Sequence, residues 1–190
     1  MLRLLVLASL VSAPAFAANT YKLDSALSKV EWVGTKVTGS HNGLVPVKEG
    51  TVEVDKGLVK SANVTVDLAN MTNTDLSGEY QTKLLNHLKD DDFFSTNKYP
   101  TATIVIKSAK PIKGKQHEFT GDLTIKGITK PVSFKGDVEE GKDTVSVKGN
   151  LVFDRTAYGI KYNSGKFFQS LGDKMINDEV KLNFTAVAKK

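Results

Sequence analysis

Apolar residues recur at every second position along most of this chain, and that rhythm admits few folds. Phe119, Gly121, Leu123 and Ile125 alternate with Thr120, Asp122, Thr124 and Lys126. Val132, Phe134, Gly136 and Val138 repeat the pattern, as do Val145, Val147, Gly149, Leu151 and Phe153, and finally Val180, Leu182, Phe184, Ala186 and Ala188. Successive side chains of a strand point to opposite faces, so each run is a strand with one dry and one wet face. Earlier runs fit the same reading: Tyr21 to Leu23, Lys29 to Val37 with Val30, Trp32 and Gly34 alike, Gly50 to Val54, then Ala62 to Leu68, and later Ala102, Ile104 and Ile106. Polar clusters at His41-Asn42-Gly43, Asp55-Lys56-Gly57 and Asn70 to Asp75 read as turns. Lys107 to His117 and Glu139 to Asp143 read as hairpin loops, with Gly114 and Gly141 at positions of positive φ.

About eight strands in one domain avoid exposed edges most simply by closing on themselves. The expected class is therefore all-β, an eight-stranded antiparallel β-barrel. One segment departs from the rhythm. From Leu76 to Lys89, Tyr80, Leu84, Leu85 and Leu88 recur at helical spacing. This predicts a single amphipathic helix against the sheet, capped by Thr74 or Asp75.

The first seventeen residues read as a secretory signal rather than as part of the fold. Arg3 is followed by the apolar run Leu4 to Val11 and the small-x-small sequence Ala15-Phe16-Ala17, which places the mature domain at 18–190. Without Arg3, the 26 basic and 21 acidic residues leave 25 − 21 = +4 on the mature chain. The lysines are scattered rather than tracked, which argues against nucleic acid and leaves peripheral attraction to an anionic membrane as the electrostatic partner. Cysteine is absent, so the chain has no disulfides, no thiol chemistry and no cysteine metal sites.

Catalysis finds little support. His41, His87 and His117 are far apart in sequence, and no nucleophile elbow or phosphate-cradling glycine loop occurs. His87 reads as a packing histidine beside the Leu84/Leu88 stripe. Asp90-Asp91-Asp92 lacks the alternating pattern of a calcium loop and reads as a helix stop. No catalytic, metal or cofactor residue is expected. Phe93 and Phe94 would either plug or line one barrel mouth.

Arg155 is the most informative single residue. It shares parity with Leu151 and Phe153, so it points inward, and an isolated charge in an apolar interior is very costly. Either it closes a salt bridge, to Glu31 or Asp67, or it meets the carboxylate or phosphate of a ligand. Trp32, Phe119, Phe134, Phe153 and Phe184 share the interior with Gly121 and Gly136, which either leave space or bend the sheet. A barrel of this size is wide enough to be filled by side chains or to hold one small ligand.

Several segments taken together resemble one family. They are Tyr21-Lys22-Leu23-Asp24, Leu84 through Phe94 (LLNHLKDDDFF), Tyr99-Pro100-Thr101-Ala102, Gly121 through Val132 (GDLTIKGITKPV) and Asp154 through Ile160 (DRTAYGI). In order and extent this is similar to the YceI-like proteins. The resemblance implies a lipocalin-like barrel whose interior is an apolar tunnel for a polyisoprenoid, an isoprenoid quinone or a fatty-acid-like chain. It implies a periplasmic, non-enzymatic protein, monomeric or homodimeric, with a bound lipid in place of a cofactor. On that basis the tunnel residues are Trp32, Phe93, Phe94, Ile104, Phe119, Leu123, Ile125, Phe134, Leu151, Phe153, Tyr158, Leu182 and Phe184, and the head-group residues are Arg155, Tyr162 and His41. Leu44 stands where the family's turn usually carries an aromatic. The rival expectations are a side-chain-filled structural or interaction domain of the envelope stress response and, last, an enzyme acting through His87 or Arg155.

Overall fold

The computed structural model describes residues 18–55 and 58–190, so the signal expected at 1–17 and the Lys56-Gly57 turn lie outside the described residues. The strands are β1 (Asn19–Leu23), β2 (Lys29–Lys36), β3 (Gly39–Val45), β4 (Val47–Asp55), β5 (Leu58–Asp67), β6 (Thr101–Lys113), β7 (Gln116–Ile125), β8 (Ile128–Glu140), β9 (Thr144–Asp154) and β10 (Ile176–Lys189), with one helix, α1 (Gly78–Lys89). They follow the order β1-β4-β5-β6-β7-β8-β9-β10, and β10 returns to pair with β1, so eight antiparallel strands close. The remaining two, β2 and β3, continue from the edge of β10 and extend one end of the barrel.

Closure follows from the alternation. In β7 the inward residues His117, Phe119, Gly121, Leu123 and Ile125 are all buried, and the outward ones are not. Phe119 and Leu123 sit opposite Phe134 and Lys130 of β8, and the hairpin turns on two residues, Lys126 and Gly127, at φ 51 and 72. Positive φ at both positions matches the twist of the flanking strands.

Several local expectations are corrected. His41-Asn42-Gly43 is not a turn but the middle of β3, where Gly43 pairs with Trp32. A Cβ at Gly43 would lie 1.8 Å from the Thr72 carbonyl oxygen, so only glycine admits the crossing backbone. The hairpin loops are shorter than expected: β6 runs to Lys113 and β7 starts at Gln116, while only residues 141–143 separate β8 from β9. Gly114 has φ 56, but Gly141 is not in the left-handed region.

The helix starts later, with Ser77 rather than Thr74 or Asp75 at its N-cap. Those two side chains are engaged elsewhere: Asp75 accepts from the Asn42 backbone N–H, and the Thr74 hydroxyl accepts from Asn42 Nδ2. Tyr80 is 74% exposed and not part of the packed stripe. No helix residue is buried, because α1 lies over the extended end rather than flat on the sheet.

The free side of β3 is covered by irregular chain. Thr72 exchanges both backbone hydrogen bonds with Leu44, at 2.8 and 3.2 Å, and the Thr74 N–H donates to the Asn42 oxygen at 2.9 Å. Two apolar clusters flank the middle of the barrel. One contains Val45, Leu68, Phe93, Leu123, Leu151 and Phe153; the other contains Tyr21, Val52, Val59, Ile106, Phe119 and Val145. Ile104 and Phe134 pack against both, and between the clusters the interior is open.

Candidate functional site: an apolar channel in the barrel

The barrel is not filled by its own side chains. A cavity of about 270 Å³ runs from Val52, Val59 and Ala62 at one end to Thr35, Lys36, His41 and Asn177 at the other. Ile176 and Ala186 both line it and lie ten residues apart on β10, roughly 33 Å of strand at about 3.3 Å per residue. Lining residues spread so far along one strand describe a channel rather than a compact pocket. Its walls explain the partial exposure of Trp32, Val66, Ile104, Phe134, Val180, Leu182 and Phe184, which face inward yet pack against the core without full burial.

Of the residues anticipated for the apolar tunnel, Trp32, Phe93, Phe94, Ile104, Phe119, Leu123, Ile125, Phe134, Leu151, Phe153, Leu182 and Phe184 line the cavity. Phe93 and Phe94 are therefore part of the wall beneath α1. Tyr158 does not line it. At Asp154 the strand gives way to a 3₁₀ turn, Arg155–Tyr158, which breaks the period-two parity. Tyr158 thus sits behind Phe153, edge-to-face at 5.6 Å and 2% exposed, where burial raises the pKa of its hydroxyl.

The head-group residues separate in the same way. His41 and Arg155 border the cavity, whereas Tyr162 lies outside it against Phe93 and His87, at 5.5 and 4.6 Å. His87 is indeed a packing residue: its ring also meets Phe93 edge-to-face, and its Nε2 lies 3.1 Å from Asp92.

Arg155 is 2% exposed and held on all sides. Its Nε donates to the Asn177 carbonyl, Nη1 to that of Ile160 and Nη2 to that of Ile176, each at 3.0 Å. The acidic partner is Asp178, 3.5 Å from Nη2, and not Glu31 or Asp67. Glu31 instead accepts from Asn183, and Asp67 from Asn70. Burial lowers the guanidinium pKa, and Asp178 and Asp154 oppose that shift. The Asp178 carboxylate also meets Lys166 at 3.3 Å, and Lys166 reaches Asp154 at 2.7 Å. This charged cluster ties the start of β10 to the 3₁₀ turn, and of its members Arg155 lines the channel.

The opening is bordered by a second polar set. Asn177 Nδ2 donates to the Thr35 hydroxyl at 2.7 Å, and His41 Nδ1 lies 2.7 Å from Asp75. Burial pushes the Asp75 carboxyl up, but the Asn42 N–H, His41 and Asn73 more than offset it, so its pKa falls below the ordinary value.

Glycine placement differs from expectation. Gly121 and Gly136 leave no room, because a Cβ there would meet the Val105 oxygen at 2.2 Å or the Phe119 ring at 3.3 Å. Gly34 differs: an added Cβ there would find nothing within 4 Å, and it lines the channel. Val30, Val45, Val64, Val66, Leu84 and Leu88 also line it. Strand parity or helical spacing marks all of these in sequence except Val45, which ends the unanticipated β3. Met71 lies in an irregular segment and had no such signal.

Residues 21–188 match the YceI-like domain family. Among similar sequences are a UPF0312 protein of Staphylococcus aureus, 30% identical over 180 residues covering 88% of this chain and 96% of that one, and a UPF0312 protein of Pseudomonas putida, 32% identical over 139 residues covering 71% and 70%. Burkholderia cenocepacia BcnA superposes with a TM-score of 0.70 at 27% identity, covering 88% of this chain and 99% of its own. A polyisoprenoid binding domain from Saccharophagus degradans has the same fold, with a TM-score of 0.66 at 16% identity and coverage of 89% and 97%.

Proposed function

The chain belongs to the YceI-like domain family, and from that premise we propose that it is a periplasmic binding protein that shelters a long apolar lipid, a polyisoprenoid, isoprenoid quinone or fatty-acid-like chain, inside the barrel. The observation that carries the reading is the channel itself: long, walled mainly by aliphatic and aromatic side chains with Thr103 and Thr185 among them, and charged only where Arg155, Lys36 and His41 gather with Asn177 and Thr35 at one end. A compact ligand would leave most of that wall wetted. A linear chain covers it.

The energetics favour the chain over the head. Each buried CH₂ contributes about 0.8 kcal/mol gross, so one five-carbon isoprene unit contributes roughly 3 kcal/mol or more before ordering costs. A few units dominate affinity, and the polar end selects what precedes them. The ligand then lies with its head toward Asn177 and its tail toward Val59. The Saccharophagus degradans relative, described as polyisoprenoid binding, supports the isoprenoid member of the ligand class. Export rests on the signal-like first seventeen residues.

Trp32 provides the test, since it is the sole tryptophan and lines the channel. Titration with a detergent-solubilised isoprenoid quinone is expected to quench its fluorescence saturably, at one ligand per chain. An unchanged spectrum across homologous quinones, prenols and fatty acids rejects the carrier reading.

A further inference from the structure

We propose that the rim of the channel opening is a docking surface for an anionic bilayer, through which the lipid enters and leaves. The cargo rests on the function proposed above; the surface rests on separate observations. Among the described residues, four of the ten exposed large hydrophobics belong to segments that frame this end: Val37, Tyr80, Phe167 and Phe168. Val37 follows Lys36 of the cavity lining, and its N–H donates to the Met175 oxygen at 3.2 Å. Tyr80 stands one helical turn before Leu84, which lines the channel.

The two phenylalanines are carried by a loop built to project. The Ile176 N–H donates to the Asn163 oxygen at 2.9 Å, which ties the loop's base to the first channel residue of β10. Asn163 and Ser170 hold left-handed backbone at φ 48 and 58, which non-glycine residues adopt uncommonly. Between them, the N–H groups of Phe167 and Phe168 both donate to the oxygen of fully buried Ser164, at 3.1 and 3.0 Å. The turn is thus anchored at its root while its two rings remain about half exposed.

The charge around these rings selects the occupant. On the framing segments, Glu79 pairs with Lys83, and Lys166 is committed to Asp154 and Asp178. Among the described residues that leaves exposed Lys36, Lys161 and Lys174 against Asp173 and, at the start of β10, Glu179. Lys161 Nζ sits 4.7 Å from the centre of the Phe167 ring. Aromatic tips interleaved with unpaired lysines suit the headgroup layer of an anionic membrane, where rings insert and ammonium groups meet phosphate. A second protein would more often cover such rings with a matching apolar face. Docking here joins the channel to the hydrocarbon layer, so a long chain transfers without crossing water.

The test is flotation with vesicles of phosphatidylcholine alone or with added phosphatidylglycerol, at low and high salt, alongside sedimentation and Trp32 quenching by micellar quinone. Wild type is expected to float with the anionic vesicles and to be released by salt. The double variant Phe167→Ser, Phe168→Ser is expected to bind them at least about tenfold more weakly while taking up micellar quinone as wild type does. Lys161→Glu with Lys174→Glu is expected to remove the salt dependence. Equal flotation of wild type and the phenylalanine variant overturns the proposal, as does no flotation of either. A dimer that the phenylalanine variant splits, with no vesicle binding, assigns the face to a second copy and overturns it too. Vesicle binding without quinone uptake sinks the carrier reading alone.

Discussion

Trp32 Nε1 donates a hydrogen bond of 3.0 Å to the backbone oxygen of Thr72. That one bond joins the channel wall to the irregular segment covering the free side of β3, the same segment that passes close over Gly43. An indole N–H set in an apolar wall needs a partner, and here the partner belongs to the segment that covers β3. Gly43→Ala forces a methyl into the Thr72 and Asn73 backbone, which lies within 1.8 to 2.8 Å of the Cβ position. We expect a loss of about 2–3 kcal/mol in urea unfolding, together with a red-shifted Trp32 emission as the cover loosens.

Gly34→Phe has the opposite character. Nothing lies within 4 Å of its Cβ, its backbone is not left-handed, and it faces the channel. Glycine inside a strand is a weak choice, by roughly 0.5–1 kcal/mol, so the variant is expected to be as stable as wild type or more so. It is also expected to bind long-chain lipid far more weakly, as read by fluorescence titration. A variant that stays folded and still binds at full strength would place the ligand elsewhere.

Arg155→Leu removes the donors of three backbone carbonyls and strips Asp178 Oδ1 of its buried cation, leaving only the exposed Lys166 at Oδ2. Asp178 Oδ1 already lacks a hydrogen-bond partner. Breaking a buried pair on one side costs about 3–5 kcal/mol, and thermal or urea unfolding reads it. Removing both charges, in Arg155→Leu with Asp178→Leu, is expected to recover part of that loss.

Acid is expected to loosen the segment that covers β3. The folded Asp75 carboxyl titrates below its ordinary value of 3.8, because the Asn42 N–H, His41 and Asn73 outweigh its burial. Stability from a carboxyl of lowered pKa is fully present above the unfolded value and fades as pH falls through the folded one. Amide protection of Leu44, Thr72 and Thr74 is therefore expected to hold at pH 5 and to drop below the ordinary carboxylate value. In Asp75→Asn that additional acid sensitivity disappears.

The barrel was legible because its strands obey one rule over long runs. In β7 and β9 the inward set follows from parity alone, and it brings Phe119, Leu123, Ile125, Val147, Leu151 and Phe153 to the channel wall. Parity fails where the strand ends. Tyr158 was assigned to the tunnel, but the 3₁₀ turn at Arg155 rotates it behind Phe153. The strand β3 was hidden by its polar, glycine-bearing sequence, since Gly43 answers to the Thr72 backbone and not to a strand preference. Room for a side chain is found at Gly34 rather than at Gly121 or Gly136, a difference set by which neighbour crosses each glycine.

The most direct measurement is native mass spectrometry of the protein purified from an exporting host without detergent, followed by organic extraction and lipid identification. One long-chain lipid per wild-type chain, absent from folded Gly34→Phe, is the predicted result. A wild-type protein that flies without adduct, yields no extractable lipid and takes up none of the added polyisoprenoids, quinones or fatty acids contradicts the carrier function.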